Sequence, residues 1–325
     1  MILVTGGAGY IGSHVNLALS EAGHETIILD DLSMGHSELV VAGRLVRGDF
    51  GDRALLDTLF SENKISCVVH LAALTDVDDS IARPADYYQN NVLKTITLLT
   101  AMKDHGVGQF LFSSTSAVYA DDAPVPYTEK SLTDPICPYG RTKLFVEKML
   151  ADYRQAYGLS YAIFRYFNAA GADPQGRVGE WHEPEPHLIP VILEVARGRR
   201  DAIYLFGTDY PTHDGTCVRD FVHVMDIAGA HVAALNHLNA GGGSDVYNLG
   251  YGTGYSVAEV IEACKRVTNR NITVIPTDRR PGDGAISIAD CSHAMEQIGW
   301  KPQFNDLGQI IESAWKWDLA LHART

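Results

Sequence analysis

Ile2-Leu3-Val4-Thr5-Gly6-Gly7-Ala8-Gly9-Tyr10-Ile11-Gly12 reads as a strand, a glycine turn and the opening of a helix. The run Ile2 to Thr5 is short and β-branched. After the glycines, Ile11, Val15, Ala18, Leu19 and Ala22 recur at helical spacing. Gly23-His24 ends that helix, and Thr26-Ile27-Ile28-Leu29 forms a second strand that runs into Asp30-Asp31. The unit is βαβ, and its glycines let backbone N–H groups approach a pyrophosphate at a helix N-terminus. A glycine pattern alone is weak. This one follows a strand, opens a helix, and has an acid 18 residues after its last glycine. Asp30 in that place accepts from a ribose 2′-OH and repels a 2′-phosphate, so NAD rather than NADP is expected.

The alternation continues outward. Strands are expected at Leu45 to Gly48, Cys67 to Ala72, Phe110 to Ser113 and Tyr161 to Phe167. Helices are expected at Arg53 to Phe60, Tyr87 to Met102 and 139–157. Near-continuous apolar strands between helices predict an α/β fold, a Rossmann-type doubly wound parallel sheet covered on both faces. Ligands then bind beyond the strand C-termini, which puts Gly6, Asp30, Asp49, Ala72, Ser113 and Phe167 along one edge. From Asn168 to Pro190 the chain turns rich in Gly, Pro and acids, which marks the start of a smaller substrate domain. Further helices are expected at Ile189 to Ala196, Val224 to Leu238, Val257 to Thr268, 291–298 and 306–322. Further strands are expected at Ile203 to Phe206, Val246 to Leu249 (returning to the main sheet) and Ile272 to Ile275. The division expected is 1–167 with about 217–249 for the nucleotide domain, and about 168–216 with 250–325 for the smaller C-terminal α/β domain.

The net charge is 26 basic minus 40 acidic residues, or −14. So acidic a chain is a poor partner for nucleic acid or an anionic membrane, though a local pair of arginines still suits an anionic small ligand. The five cysteines, at 67, 137, 217, 264 and 291, match neither a disulfide framework nor a zinc pattern, and a reducing cytoplasm is the simplest reading. No metal centre is expected. The chain opens straight into Ile2-Leu3-Val4 without a basic leader region, and no apolar run approaches the ~18 residues of a membrane span.

Ser113-Ser114-Thr115 ends one strand, and Tyr139-Gly140-Arg141-Thr142-Lys143 opens a helix. Tyr139 and Lys143 are four apart and share a helix face. An adjacent cation favours phenolate, which makes Tyr139 a candidate general base. Tyr-x-x-x-Lys alone is also what an ordinary surface pair looks like.

These motifs together resemble the extended short-chain dehydrogenase/reductase superfamily. More narrowly, the chain resembles UDP-glucose (UDP-galactose) 4-epimerases. The narrower likeness rests on Leu29-Asp30-Asp31-Leu32-Ser33, Arg165-Tyr166-Phe167-Asn168, Phe206-Gly207-Thr208-Asp209-Tyr210-Pro211-Thr212, Asp214-Gly215-Thr216, Val218 to Asp226, and Tyr247-Asn248-Leu249-Gly250. The resemblance implies that Gly6, Gly9, Tyr10, Ile11, Asp30, Asp31, Leu32, Ser33, Asp49, Phe50, Ala72, Asn90, Ser113 and Tyr166, with Tyr139 and Lys143, hold NAD. It implies that Thr115, Tyr139 and Lys143 act on the sugar hydroxyl. It implies that Thr115, Asn168, Leu188, Tyr204, Arg219, Arg280, Asp283 and Ser287 bind a UDP-sugar. Arg219 and Arg280 suit phosphate in a fork geometry. A homodimer through helices 87–102 and 139–157 is likewise implied.

Two positions depart from the family pattern. Thr75 stands where a lysine near the cofactor is common, and His187 stands before Leu188 where some members carry Asn. The implied reaction is inversion at C4 of a UDP-hexose through a transient 4-keto sugar. A dehydratase or decarboxylase on the same scaffold would need an acid after Thr115, where Ser116-Ala117 stand. A nucleotide-binding regulator with a dead site is the reading from another class. The resemblance also implies that Ser287 lines the sugar pocket, where so small a residue leaves room for an N-acetyl group at C2, while Gly179-Glu180-Trp181-His182-Glu183-Pro184 resembles members acting on UDP-pentoses.

Overall fold

The computed structural model describes residues 1–280 and 284–323. Seven strands form one all-parallel sheet in the order Asp245–Leu249, Ser160–Tyr166, Gln109–Thr115, Cys67–His70, Ile2–Thr5, Thr26–Asp30, Arg44–Arg47. The alternation of the sequence explains the layers. Ile2, Val4, Cys67, Val69, Leu111, Ala162 and Phe164 face one way, onto Val15 and Leu19 of helix Tyr10–Glu21 and Ile227, Ala230 and Ala234 of helix Val224–Asn239. Leu3, Ile27, Leu29, Val68, Phe110, Phe112 and Ile163 face the other way. They meet helices Arg53–Glu62, Lys94–Asp104 and Pro138–Tyr157 through Leu56, Leu59, Leu98, Met102, Val146 and Leu150. Both faces are covered, as near-continuous apolar strands require.

The chain builds outward from Ile2–Thr5 to Arg44–Arg47, then returns to lay Cys67–His70 on the other side of Ile2–Thr5. That reversal is the switch point of the sheet, where the loops at the strand C-termini diverge and leave a crevice. Gly6 and Ala72 leave their strands there.

Val218–His223 is the hub of a second, smaller sheet. It pairs antiparallel with Gly254–Ser256 and parallel with both Ile286–Ser287 and Asn168–Ala170. Ile203–Phe206 and Val274–Thr277 form a parallel pair of their own. Helices Leu188–Ala196, Val257–Thr268 and Leu307–His322 close a third core over these strands. Asp220, fully buried, holds the loops of this region. Its carboxylate accepts from the backbone of Tyr251 (2.8 Å), Gly252 (2.9 Å) and Ala289 (3.2 Å).

The structure departs from the expected elements in several places. The helix expected over Tyr87 to Met102 is a short helix Pro84–Tyr87, a π-helical turn Tyr88–Leu93 and a helix Lys94–Asp104. The wide turn lets buried Asn91 face inward: it exchanges hydrogen bonds with the Leu74 backbone at 2.9 Å and donates to Thr142 Oγ1 at 3.1 Å. π-turns are tolerated where such a contact is gained, often at functional sites. The strand expected from Ile272 begins at Val274, because Ile272 points into the core while pairing to Ile203 starts at Val274. Asn168–Ala170, Val218–His223, Gly254–Ser256 and Ile286–Ser287 are strands that the periodicity does not show. Each is short and is fixed by a partner far away in sequence. All five cysteines are free and buried. No helix among the described residues is long and apolar enough to cross a membrane.

Candidate active site

Gly6 and Gly12 sit where no side chain fits. A Cβ on Gly6, which has φ +73°, would meet the Ala72 backbone nitrogen at 2.5 Å, and one on Gly12 would meet the Gly6 carbonyl oxygen at 2.0 Å. Helix Tyr10–Glu21 starts without a side-chain cap and with no acid in its first turn. Its N-terminal N–H groups and dipole therefore suit an anionic group placed in the crevice. Asp30 ends its strand buried, and its carboxylate accepts from the Ala8 N–H and the Leu32 N–H, both at 2.9 Å. Burial holds that carboxyl above the ordinary range against these two hydrogen bonds. Asp31 takes the N–H and hydroxyl of Ser33 in a tight turn, and Leu32 adopts φ 61° within it. A diphosphate at the glycines and a diol at Asp30 fit this donor set, so the residues present suit a dinucleotide.

The remaining cofactor candidates occupy distinct places. Tyr10 is buried and donates to the Gly171 carbonyl at 2.7 Å. Ile11 is half-buried against the core beneath the helix. Asp49 is salt-bridged to Lys94 at 2.6 Å, and Phe50 packs under the same lysine and against His70. Asn90 donates to Asn91 at 3.1 Å and remains half-buried at the π-turn. Tyr166 points into the core, 2.8 Å from His231 Nε2, and also bonds the Ser113 hydroxyl. Thr75 is exposed beside the start of helix Val77–Ala82.

Helix Pro138–Tyr157 presents Tyr139 and Lys143 to the strand end Ser113–Thr115. Lys143 is 2% exposed, donates to the Ser113 carbonyl at 2.8 Å, and lies 5.9 Å from the centre of the Tyr139 ring. The Thr115 hydroxyl bonds the Tyr139 phenol. The sequence predicts that the cation lowers the phenol. In the protein alone, burial pushes Tyr139 up to about 12, and the Thr115 bond only partly opposes this. Burial also pushes Lys143 down to about 7, against the pull of Glu147. The reason is shared: two ionisable groups in one dry pocket both favour their neutral forms until charge is supplied from outside.

Glu147, one turn beyond Lys143, is a residue that motif reading missed. It is 6% exposed and forms a fork–fork pair with Arg165 at 2.6 and 3.1 Å; Ser114 Oγ donates to it as well. Arg165 continues to the Tyr119 hydroxyl and the Glu129 carbonyl, both at 3.1 Å, and Tyr119 donates to Asn248 at 2.6 Å. One connected network thus ties the helix to three neighbouring strands of the sheet. Its sequence signal was available: Glu147 lies at i+4 from Lys143 and i+8 from Tyr139, on the same helix face.

The substrate-side candidates line the smaller sheet and its loops. Asn168 donates to the Asp220 carbonyl at 3.0 Å. Leu188 opens helix Leu188–Ala196. Tyr204 is 54% exposed on the same strand face as Phe206, whose ring carries the Arg280 guanidinium 4.4 Å from its centre. Arg219 and Ser287 are register partners in adjacent strands, so their side chains share one face. Asp283 lies outside the described residues. Two histidines near this region have other partners: His223 is buried between Ser313 and Phe304, and exposed His213 lies 3.3 Å from Glu259.

Known proteins resemble this chain in sequence and in overall fold. The NAD dependent epimerase/dehydratase family model matches residues 2–250. A UDP-glucose 4-epimerase of Halalkalibacterium halodurans is 49% identical, over 97% of this chain and 95% of that protein. A UDP-glucose 4-epimerase of Brucella ovis, solved with NAD, superposes with TM-score 0.95 and 44% identity over 97% of each chain. One from Stenotrophomonas maltophila, solved with NAD and formylated UDP-arabinopyranose, gives TM-score 0.96 and 40% identity over 100% of this chain and 99% of that one.

The buried network makes a sharp prediction. Glu147→Gln leaves Arg165 charged and without its carboxylate, and breaking one partner of a buried pair costs about 3–5 kcal/mol. Urea unfolding should show that loss, whereas the exposed pair of Lys316 and Glu312 should tolerate Glu312→Gln with less than about 1 kcal/mol. Equal, small effects at both sites would contradict the role given to the network.

Proposed function

The chain belongs to the NAD-dependent epimerase/dehydratase family and, within it, to the UDP-glucose 4-epimerases, and from that premise we propose that it interconverts UDP-glucose and UDP-galactose by inverting C4 of the sugar. The observation that carries the reading is the trio at the sheet edge: Tyr139 bonded by Thr115, with Lys143 held on the Ser113 carbonyl beside it. Gly6, Gly9 and Gly12 with Asp30 supply the cradle for NAD, which when bound accepts the C4 hydride and returns it.

Tyr139 takes the proton of the sugar 4-hydroxyl as C4 loses its hydride, leaving a 4-keto sugar. Thr115 hydrogen-bonds the phenol and so favours its ionised form. Lys143 places a second donor, an ammonium when protonated, under the same pocket. Arg219 and Arg280 hold the diphosphate while the sugar turns over, and the proton returns from Tyr139 to O4 after the opposite face is reduced. Ser116 and Ala117 put no carboxylate next to Thr115, which supports epimerisation over dehydration or decarboxylation on this scaffold. The pentose reading has its own support in the UDP-arabinopyranose bound by the Stenotrophomonas relative. Five free, buried thiols support a reducing, cytoplasmic setting.

The exposed apolar side chains Leu93 (58%), Ile96 (38%) and Phe145 (51%) lie on the two neighbouring outer helices and support a homodimer through them. Sedimentation as a monomer at micromolar concentration would refute that assembly.

Tyr139→Phe keeps the ring and removes the proton acceptor. It should lose most turnover, on the order of the 10²–10⁴-fold typical of a general base, while still binding UDP. Near-wild-type turnover would remove Tyr139 from the mechanism. Ser287, on the Arg219 face, leaves space beside the sugar, so the wild type should also turn over UDP-N-acetylglucosamine. Ser287→Tyr should lose that activity selectively, because overpacking costs ~1–3 kcal/mol. A wild type inactive on the N-acetyl sugar, or a tyrosine variant equally active on it, would overturn the assignment.

A further inference from the structure

The loop before helix Leu188–Ala196 carries Glu180, His182, Glu185 and His187. One donor atom from each of the four lies within 4.8 Å of the others. Both carboxylates are buried, with side chains 8% and 7% exposed, so positive charge must stand close to them. His182 Nδ1 lies 3.4 Å from Glu180 and 3.5 Å from Glu185; His187 Nδ1 lies 2.7 Å and 3.2 Å from the same two acids. Of these contacts only His187 to Glu185 has hydrogen-bond geometry. Glu180 Oε1 and His182 Nδ1 are buried without any hydrogen bond. Four N and O ligands at ~2.0–2.2 Å from a tetrahedral ion would be spaced at roughly 3.3–3.6 Å. The two His182 contacts, at 3.4 and 3.5 Å, fall in that range; Glu185 turns its other oxygen to His187 at 3.2 Å, just below it, and the 2.7 Å separation of His187 from Glu180 has to open by roughly 0.6 Å or more.

We propose that Glu180, His182, Glu185 and His187 form a closed four-ligand site for a divalent transition ion of the zinc type. Imidazole nitrogen favours such an ion over magnesium or calcium. Two carboxylates and two neutral imidazoles match its double positive charge. Four protein ligands leave no open position, so the site is structural. The same loop reaches both ligand regions. Trp181 stacks on His36 with ring centres 3.7 Å apart, Tyr10 meets His182 edge-on at 6.3 Å, and Leu188 follows directly in the chain. The ion would therefore fix the loop between the dinucleotide crevice and the helix at Leu188. The competing occupant is a pair of protons. A ligand imidazole must be neutral to bind the ion, so ion binding displaces those protons.

The test uses full-length protein stripped with a chelator, then titrated with zinc chloride and assayed for bound metal by mass spectrometry. One zinc per chain and a raised melting temperature are expected. The double variant His182→Ala/His187→Asn should lose both, while His213→Asn, at an exposed imidazole elsewhere, should keep both. Should the double variant fail to fold, the visible spectrum of the cobalt-loaded wild type decides instead: intense tetrahedral bands support the site and a pale octahedral spectrum overturns it. No zinc uptake by the wild type, or equal uptake by the double variant, overturns the proposal and leaves the cluster closed by protons.

Discussion

The buried carboxylate of Glu147 fixes the catalytic half of this molecule. It is gripped by Arg165 through two contacts and by Ser114 through a third, with 6% of either charged side chain exposed. A buried charge of this kind tolerates little change in geometry, because each lost partner leaves an uncompensated ion. Helix Pro138–Tyr157 therefore has one position relative to strands Gln109–Thr115 and Ser160–Tyr166. Lys143, one turn before Glu147, meets the Ser113 carbonyl, and Tyr139, one turn further, meets Thr115. Tyr139 and Lys143, the residues proposed to act on the sugar, sit at the start of a helix whose alignment is set from beneath by electrostatics and not by apolar packing alone.

The second constraint is steric. Gly6 and Gly12 permit a backbone approach that any side chain would block, and Gly6 does so against Ala72 across the switch point of the sheet. The crevice formed there lies beside the Ser113 strand end. The distance from dinucleotide cradle to Tyr139 is thus a property of the sheet, with Cys67–His70 as the strand between. The smaller sheet meets the edge of the larger one where buried Asp220, on Val218–His223, holds Tyr251 and Gly252 just beyond strand Asp245–Leu249, and Arg219 and Ser287 share one face of the smaller sheet.

Much of this was legible because it is local. The glycine turn, Asp30 at the second strand end, and the i,i+4 pair of Tyr139 and Lys143 are written within short windows, and near-continuous apolar strands marked a main sheet covered on both faces. What was not legible depends on partners far away in sequence. Val218–His223 reads as a strand only once residues 168–170, 254–256 and 286–287 lie beside it. The π-turn at Tyr88–Leu93 is chosen by contacts of Asn91 with Leu74 and Thr142. Glu147 resembles any helix-face acid until Arg165 is brought under it. The expected lowering of Tyr139 by its lysine failed to show in the protein alone because burial acts on both groups at once.

The central claim is that C4 inverts by hydride loss and return within one closed site. Epimerisation of UDP-galactose in deuterium oxide, with no NAD added to the purified protein, tests it directly. The account predicts UDP-glucose whose C4 still carries protium, because the hydride never exchanges with solvent. Deuterium at C4 of the product would contradict it and require a carbanion at that carbon instead.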